Sequence, residues 1–418
     1  MQIIKKTFKK ISNNFILYYF FVLLLIFVPK ALTLPSLSFR TAIVTAVGVD
    51  QKDDKIEVSI LTLSQLGQGD NKEQNKLVSA TGERVSEAMG LIELRLGRKI
   101  QMGHVKYVLL SEQLAQNDIS NLVDSFIRTS KISNSVTLVI CKDSAKDLLS
   151  AANKLSQNSS YNLSEIISND YNDTFTKETS IDYFFKGYFS PNKISSLGYI
   201  SMTDNESDGI PVGDAGEEGQ KELPYKQDGE TEKQKSSKKN IEFNRENVIF
   251  KNGKMLRVLD KKDMDGLNWI STESTHQYIT LKNYTEPEQH LENATITIEV
   301  VEKFVRDEVK FEKNIPTITF YIVLELNILE NIQQNDNISN SDIKMTSKLL
   351  QEISDTAKKQ FCYSINKLKT DNTDIVNAYQ LLNSKKHKQF QKMLKNLQNP
   401  EEYLKYIHFK MDIVAGLT

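Results

Sequence analysis

The side chains that most often carry chemistry are few in this sequence, and they are scattered. It has five histidines, His104, His276, His290, His387 and His408, and two cysteines, Cys141 and Cys362. No two histidines stand four apart on a helix with a carboxylate between them, the pattern that presents two imidazoles and a base to a zinc ion. Two cysteines make neither a zinc site nor a disulfide framework, and both sit among apolar neighbours, where a free thiol packs as a small buried hydrophobe. Asp50, Asp53 and Asp54 resemble the opening of a calcium loop. No central glycine or closing glutamate follows at the required offset, so a solvated turn fits them better. A P-loop, a nucleophile elbow and a glycine-rich dinucleotide turn are all absent from the sequence. The Met89, Ile92 and Leu96 stripe is core rather than a cofactor box. The expectation is a non-enzymatic chain with no catalytic, cofactor-binding or metal-ligating residues.

Composition narrows the class. The 418 residues carry 53 basic and 54 acidic side chains, a formal net charge of −1, with 39% hydrophobic residues. A balanced charge gathers no nucleic acid. The hydrophobic content is too high for a disordered polymer and too low for a protein of many membrane spans. The length suits two or three domains.

The composition breaks at the start. Residues 15–28 read FILYYFFVLLLIFV, preceded by Lys5, Lys6, Lys9 and Lys10 and followed only by Lys30 and Arg40 before Thr41. That asymmetry places the N-terminus in the cytoplasm and the remainder outside. The run is short for a spanning helix, and extends weakly through Leu32, so residues 1–37 read as a signal-anchor with a tilted transmembrane helix. A cleaved signal peptide is the competing reading, with Ala31-Leu32-Thr33 as a poor cleavage site. A buried core helix fits least, because core helices rarely follow such a lysine cluster.

Past residue 38 the periodicity alternates between strand and helix. Thr41–Asp50 and Lys55–Leu66 form a hairpin. Gly82–Leu96 carries Val85, Ala88, Met89, Ile92 and Leu96 at helical spacing. Strands at Val105–Leu110 and Val136–Cys141 flank a helix at Ile119–Ile132, and further helices cover Ser144–Leu155 and Ile181–Tyr188. This mixture without strict alternation is α+β. Residues 202–240 hold almost no large apolar side chain and read as a disordered linker or long loop between an N-terminal domain, 38–201, and a C-terminal region, 241–418. In the latter, Asn252-Gly253 marks a type I′ hairpin. Ala294–Val301 and Thr317–Glu330 are long alternating strands, and Ser341–Leu368 is an amphipathic helix with Ile343, Leu350, Ile353, Ala357, Phe361, Ile365 and Leu368 as its stripe. Two shorter helices and a strand at Ile407–Ala415 finish the chain. Polar residues around Pro287 mark a further division near 290, between a small hairpin domain and a larger sheet-plus-helix domain.

The block from Thr41, TAIVTAVGVDQKDDKIEVSI followed by SATGERVSEAMGLIELRLGRKIQMGHVKYVLLSEQLAQNDISNLVDSFIR, resembles the Ger(x)C (GerAC-type) family, the C subunits of bacterial spore germinant receptors. The resemblance lies in Val47-Gly48-Val49-Asp50, Gly82 with Glu87-Ala88, Gly97-Arg98 running to His104, Glu112-Gln113-Leu114-Ala115, and Arg128. Gly266-Leu267-Asn268-Trp269, Asp374-Ile375 and the last strand ending at Gly416 agree more loosely. Family members carry a lipobox cysteine after the signal segment, and here no cysteine precedes Cys141. Val376-Asn377-Ala378 also replaces the family's glycine-rich continuation. The resemblance implies two to three small α+β domains on the outer face of the spore inner membrane. The implied partners are a transporter-like integral membrane subunit and a second membrane subunit. The implied function is nutrient-triggered germination through assembly or signal transmission. An envelope-anchored solute-binding protein, with a ligand cleft between its halves, is the alternative; an exported hydrolase would need a joined pair of carboxylates that the spacing does not supply.

Overall fold

The computed structural model describes residues 41–64, 74–130, 132–158, 180–205, 240–271, 277–332 and 343–416, with the single positions 19, 22, 23, 163 and 167. Among the described residues no helix is long and apolar enough to cross a membrane. The anchoring helix expected within 1–37, apart from those three positions, and most of the 202–240 stretch lie outside them.

Nine strands form the first sheet: β1 (Thr41–Lys52), β2 (Lys55–Ser64), β3 (Gln74–Gly82), β4 (Lys99–Gln101), β5 (Tyr107–Ser111), β6 (Thr137–Cys141), β7 (Ile194–Asn205), β8 (Asn240–Lys251) and β9 (Lys254–Leu259). Their order is β3-β2-β1-β5-β6-β7-β8-β9, with β4 against the start of β1. The centre, β1, β5, β6 and β7, is parallel, and antiparallel strands extend it on both flanks. Helices α1 (Val85–Leu96), α3 (Ser120–Ser130) and α5 (Ile181–Tyr188) bury Ala88, Ile92, Val123, Phe126 and Phe184 on one face. A short turn of helix, α2 (Glu112–Ala115), joins β5 to α3, and α4 (Ala145–Asn158) packs Ala145, Leu148 and Leu149 on the other face. Covering both faces explains why β2 is buried at Val58, Ser59, Ile60 and Leu61 alike, where alternation alone predicts one wet face.

The second sheet runs β10 (Gln277–Glu286), β11 (Leu291–Glu312), β12 (Ile315–Ile332) and β13 (His408–Gly416) in that order, the last pair parallel. It is preceded by α6 (Lys261–Asn268) and covered on one face by α7 (Ser347–Asp371), with α8 (Ala378–Lys385) and α9 (His387–Asn396) beyond. The β12 stripe of Ile318, Phe320, Ile322, Leu324 and Leu326 is buried as its alternation requires. Facing it are Leu349, Ile353, Ala357, Phe361, Ile365 and Leu368, with the Phe320 and Phe361 rings edge to face at 5.9 Å. Each such buried side chain stabilises by about 1.5–3 kcal/mol, so packing rather than surface pairing holds α7 in place. The helix starts at Ser347 rather than Ser341 because Thr346 Oγ1 caps it, accepting from Leu349 N at 3.2 Å.

The mixed α+β class stands, but the expected division at 202–240 does not follow the hydrogen bonding. Strands β7 and β8 pair antiparallel from Ile194↔Lys251 to Asn205↔Asn240. The polar stretch therefore leaves and re-enters one sheet, and residues 240–259 belong to the first sheet rather than to a second unit. The expected division near 290 is likewise a connection inside the second sheet: β10 and β11 pair across the 3-10 turn Pro287–Gln289. The Asn252-Gly253 turn is as read, with φ of 53° and 76°, both positive as type I′ requires.

The two sheets meet at α6. Gly266 faces α7 so closely that an added Cβ would overlap Ser364 Oγ and the Gln360 carbonyl. Trp269 is fully buried and donates from Nε1 to Gln360 Oε1 at 2.8 Å. Arg257 on β9 donates to Asp263 and to Asp371, each at 2.6 Å, and Lys367 on α7 donates to Asp263 at 2.9 Å and Asp260 at 3.1 Å. Asp260 and Asp263 also close the capping box of α6.

Two outcomes follow from this register. A protease site inserted between 206 and 239 will, once cut, leave two fragments that elute together on native size exclusion and separate only in denaturant. Elution as two independent folded pieces would refute the shared sheet. Arg257→Ala leaves the buried Asp263 with one cation instead of two, and urea denaturation should show a loss of about 3 kcal/mol.

Candidate functional site

A half-open groove of about 1080 Å³ lies between α1 and α3, closed at its ends by β4 and by the turn after α2. Its apolar lining comes from Ile56, Met89, Ile100, Met102, Ile119 and Leu122. Met89 and Leu122 are the helix residues next to those that α1 and α3 turn to the sheet, Ala88 and Ile92, Val123 and Phe126, while Met102 and Ile119 are shared with the core. The rim is polar: Arg84, Glu93, Asn117, Asp118 and Asn121. Both rim carboxylates shape the backbone. Glu93 Oε1 accepts from Ile100 N at 2.9 Å and Asp118 Oδ1 from Ser120 N at 2.9 Å. Arg84 is exposed at the mouth. A groove with one exposed cation, several amides and an apolar floor is equipped to bind.

The residues that carry the sequence resemblance fall mostly elsewhere, at helix termini. An added Cβ on Gly48 would lie 2.9 Å from Leu149 Cδ1 and 3.2 Å from Ala145 Cβ, so only glycine lets α4 sit this close to β1. Two residues on, Asp50 points into the helix start. It accepts from Ala145 N at 2.7 Å, Lys146 N at 3.0 Å and Ser144 Oγ at 3.3 Å. Burial pushes the Asp50 carboxyl above its ordinary value, and these hydrogen bonds oppose the rise only in part, while Glu57 adds to it. Glu57 is itself paired with Lys146 at 2.7 Å.

Asp374 repeats the device in the second unit. Its Oδ1 accepts from Ala378 N at 2.7 Å and its Oδ2 from Tyr379 N at 2.8 Å and from the Tyr403 hydroxyl. Burial, with the Asp374 charge behind it, raises the Tyr403 phenol. The Asp374 carbonyl accepts from Asn192 Nδ2 at 3.2 Å, a further tie between the two units. Glu112 accepts from the Tyr199 hydroxyl, Glu87 from Glu83 N at 2.8 Å, and Arg128 pairs with Asp124 on the surface.

The scattered histidines and cysteines stay scattered. His104 and His408 are exposed, His290 occupies a left-handed turn, and His387 Nδ1 meets Asn383 Oδ1 at 2.8 Å. His276 lies outside the described residues. Asp53 and Asp54 are exposed while Asp50 faces α4, so the three do not converge. Among the described residues no group of three His, Cys, Asp or Glu side chains is placed to hold a metal ion. Cys141 is buried, as read, and burial raises its thiol. Cys362 is exposed, contrary to expectation, because it falls on the outward side of α7, one position past the Phe361 stripe. Sequence reading gave no sign of Lys303, whose burial lowers its pKa to about 8 while it donates to the Asn268 carbonyl.

Two family models account for most of these residues. The one described as "Spore germination protein N-terminal domain" matches residues 40–202, and the one described as "Spore germination B3/ GerAC like, C-terminal" matches 245–415. The chain belongs to the GerAC-type family. A solved structure titled "Crystal Structure of the GerBC protein" is 13% identical, with a TM-score of 0.49, over 89% of this chain and 96% of that one. No curated protein sequence matches. The two GerAC-type matches stop and resume on either side of the polar stretch, yet β7 from the first and β8 from the second are hydrogen-bonded neighbours.

The β1–α4 contact gives a third prediction. Gly48→Val should cost about 2–3 kcal/mol by pushing α4 away. Combined with Asp50→Asn it should cost less than the sum, because both loosen the same helix start. The carboxyl's pKa is raised in the fold, so its stabilising contribution is present in acid and lost as pH rises through that value. The wild type's advantage over Asp50→Asn will therefore be largest in acid and shrink upward. A constant difference would contradict the burial of this group.

Proposed function

We propose that the chain is a non-enzymatic, membrane-attached C subunit of a spore germinant receptor, contributing assembly or signal transmission. The observation that carries this reading is the pair of family matches, 40–202 and 245–415, which between them take in both sheets. The lysine-flanked apolar run at 15–28 supports attachment through the protein itself, in place of the lipid on the cysteine that is missing here. On this reading the bulk of the chain lies outside the spore inner membrane, beside a transporter-like integral subunit and a second membrane subunit. The resemblance is the source of those partners.

The groove keeps direct solute binding in view as a second reading, with one change from expectation. It lies within the first unit, between α1 and α3, rather than between two halves. Deleting the gene should slow germination in response to particular nutrients while leaving growth and sporulation intact. A full response in the deletion strain, with other receptors also removed, would overturn the proposal. Lost germination that is restored by a variant with the groove filled, Met89→Trp, would favour assembly over solute binding.

A further inference from the structure

The first forty residues must enter the fold at Thr41, and what surrounds that point is informative. Strand β1 begins alongside β4, pairing Thr41↔Lys99, Ala42↔Ile100 and Ile43↔Gln101. Strand β4 in turn follows directly from the C-terminus of α1. At that helix end Leu94 is 79% exposed and Leu91 37%, two leucines that the core does not use. Glu87 and Glu93 lie N-terminal to Leu94 on the helix, and past it the charges are all of one sign. From Glu93 to Glu112 the sequence has no acid, and it carries Arg95, Arg98, Lys99 and Lys106, each exposed. Glu93 itself is bonded to Ile100 N.

We propose that this end of the first sheet, Leu91 and Leu94 with Arg95, Arg98 and Lys99, rests on an anionic lipid surface. The inference deepens the proposed function and rests on its membrane-anchor reading. Three independent observations select a bilayer as the occupant. First, the apolar run ends at residue 28, and the connection 29–40 carries only Lys30 and Arg40 as charges. Twelve residues reach at most about 40 Å, so the tether keeps the Thr41 end of the molecule within that distance of the bilayer. Second, exposed leucines at a helix end, followed by Arg95, Arg98 and Lys99, match an interface, where the leucines enter the headgroup boundary and the cations stay among phosphates. Third, the cations sit at the negative end of the α1 dipole, which holds them in place without a protein carboxylate to neutralise them.

The test uses the full chain in vesicles of phosphatidylcholine, with or without about 30% phosphatidylglycerol. In a Cys362→Ser background, which removes the exposed thiol and leaves only the buried Cys141, a fluorophore is placed at Leu94→Cys or at Glu87→Cys. The two positions lie on one side of α1, about 10 Å apart along its axis. A headgroup-attached quencher should act roughly twofold or more strongly at 94 than at 87 in anionic vesicles. Arg98→Glu with Lys99→Glu should erase the difference. So should removal of phosphatidylglycerol. Equal quenching at both positions in chains that float with the vesicles after an alkaline wash overturns the lipid-facing surface alone and points to a protein partner. Failure to float overturns the anchor and the surface together.

Discussion

Asp263 is the group on which the arrangement of the two units depends. Its side chain is almost fully removed from water, and a carboxylate there is tolerable only because Arg257 and Lys367 approach it at 2.6 and 2.9 Å. Those partners come from different places, Arg257 from the last strand of the first sheet and Lys367 from the helix that covers the second. Pulling the sheets apart would strand a charge in the interior. The apolar contacts around it, Leu259, Met264, Leu267 and Trp269, supply the adhesion. The ionic group supplies the register, because a cluster that must satisfy five charged side chains tolerates few relative positions.

A second theme is the carboxylate that ends one element and begins another. Asp50 leaves β1 and caps α4; Asp374 follows α7 and caps the start of α8. Both are buried and both use two oxygens on successive backbone N–H groups, an arrangement that completes donors the helix cannot satisfy itself. The family-like residues Gly48, Asp50, Gly266, Trp269 and Asp374 thus share a structural duty: the first two fix how α4 meets β1, the next two how α6 meets α7, and Asp374 how α8 begins. None of them lines the groove. A motif built of caps and close contacts preserves a shape, and that is what a subunit working by docking would need preserved.

Periodicity made the local elements legible. The α1 stripe, the β12 alternation and the Asn252-Gly253 turn were all readable because each is set by neighbours within a few residues. What was not legible was pairing between distant segments. The polar composition of 202–240 marks a stretch poor in large apolar side chains, but composition carries no information about what its two ends do. Here Asn205 and Asn240 are cross-strand partners, so a stretch that looks like a boundary is an insertion in a sheet. The parallel centre was hidden for the same reason, since β1 and β5 are sequence-distant neighbours. Cys362 was misread because its apolar neighbour Phe361 belongs to the buried stripe, and one helical step of about 100° separates inside from outside. The groove could not be read at all. It exists only where α1 and α3 fail to close over the sheet.

These features bear on how such a subunit could pass a signal. If the halves were beads on a flexible linker, a displacement of one would be lost before reaching the other. Strands β8 and β9, which follow the polar stretch in sequence, are built into the first sheet, and β9 hands over directly to α6 and the Asp263 cluster. The path from the Thr41 end to α7 therefore runs through paired strands and a buried ionic group, with Asn192 to Asp374 as a second tie. Rigid elements joined by paired buried charges move together, because an intermediate displacement leaves a charge unpaired. On the proposed reading, that stiffness makes the chain suited to transmit an orientation set at the membrane to whatever contacts the second sheet, with no chemistry required of it.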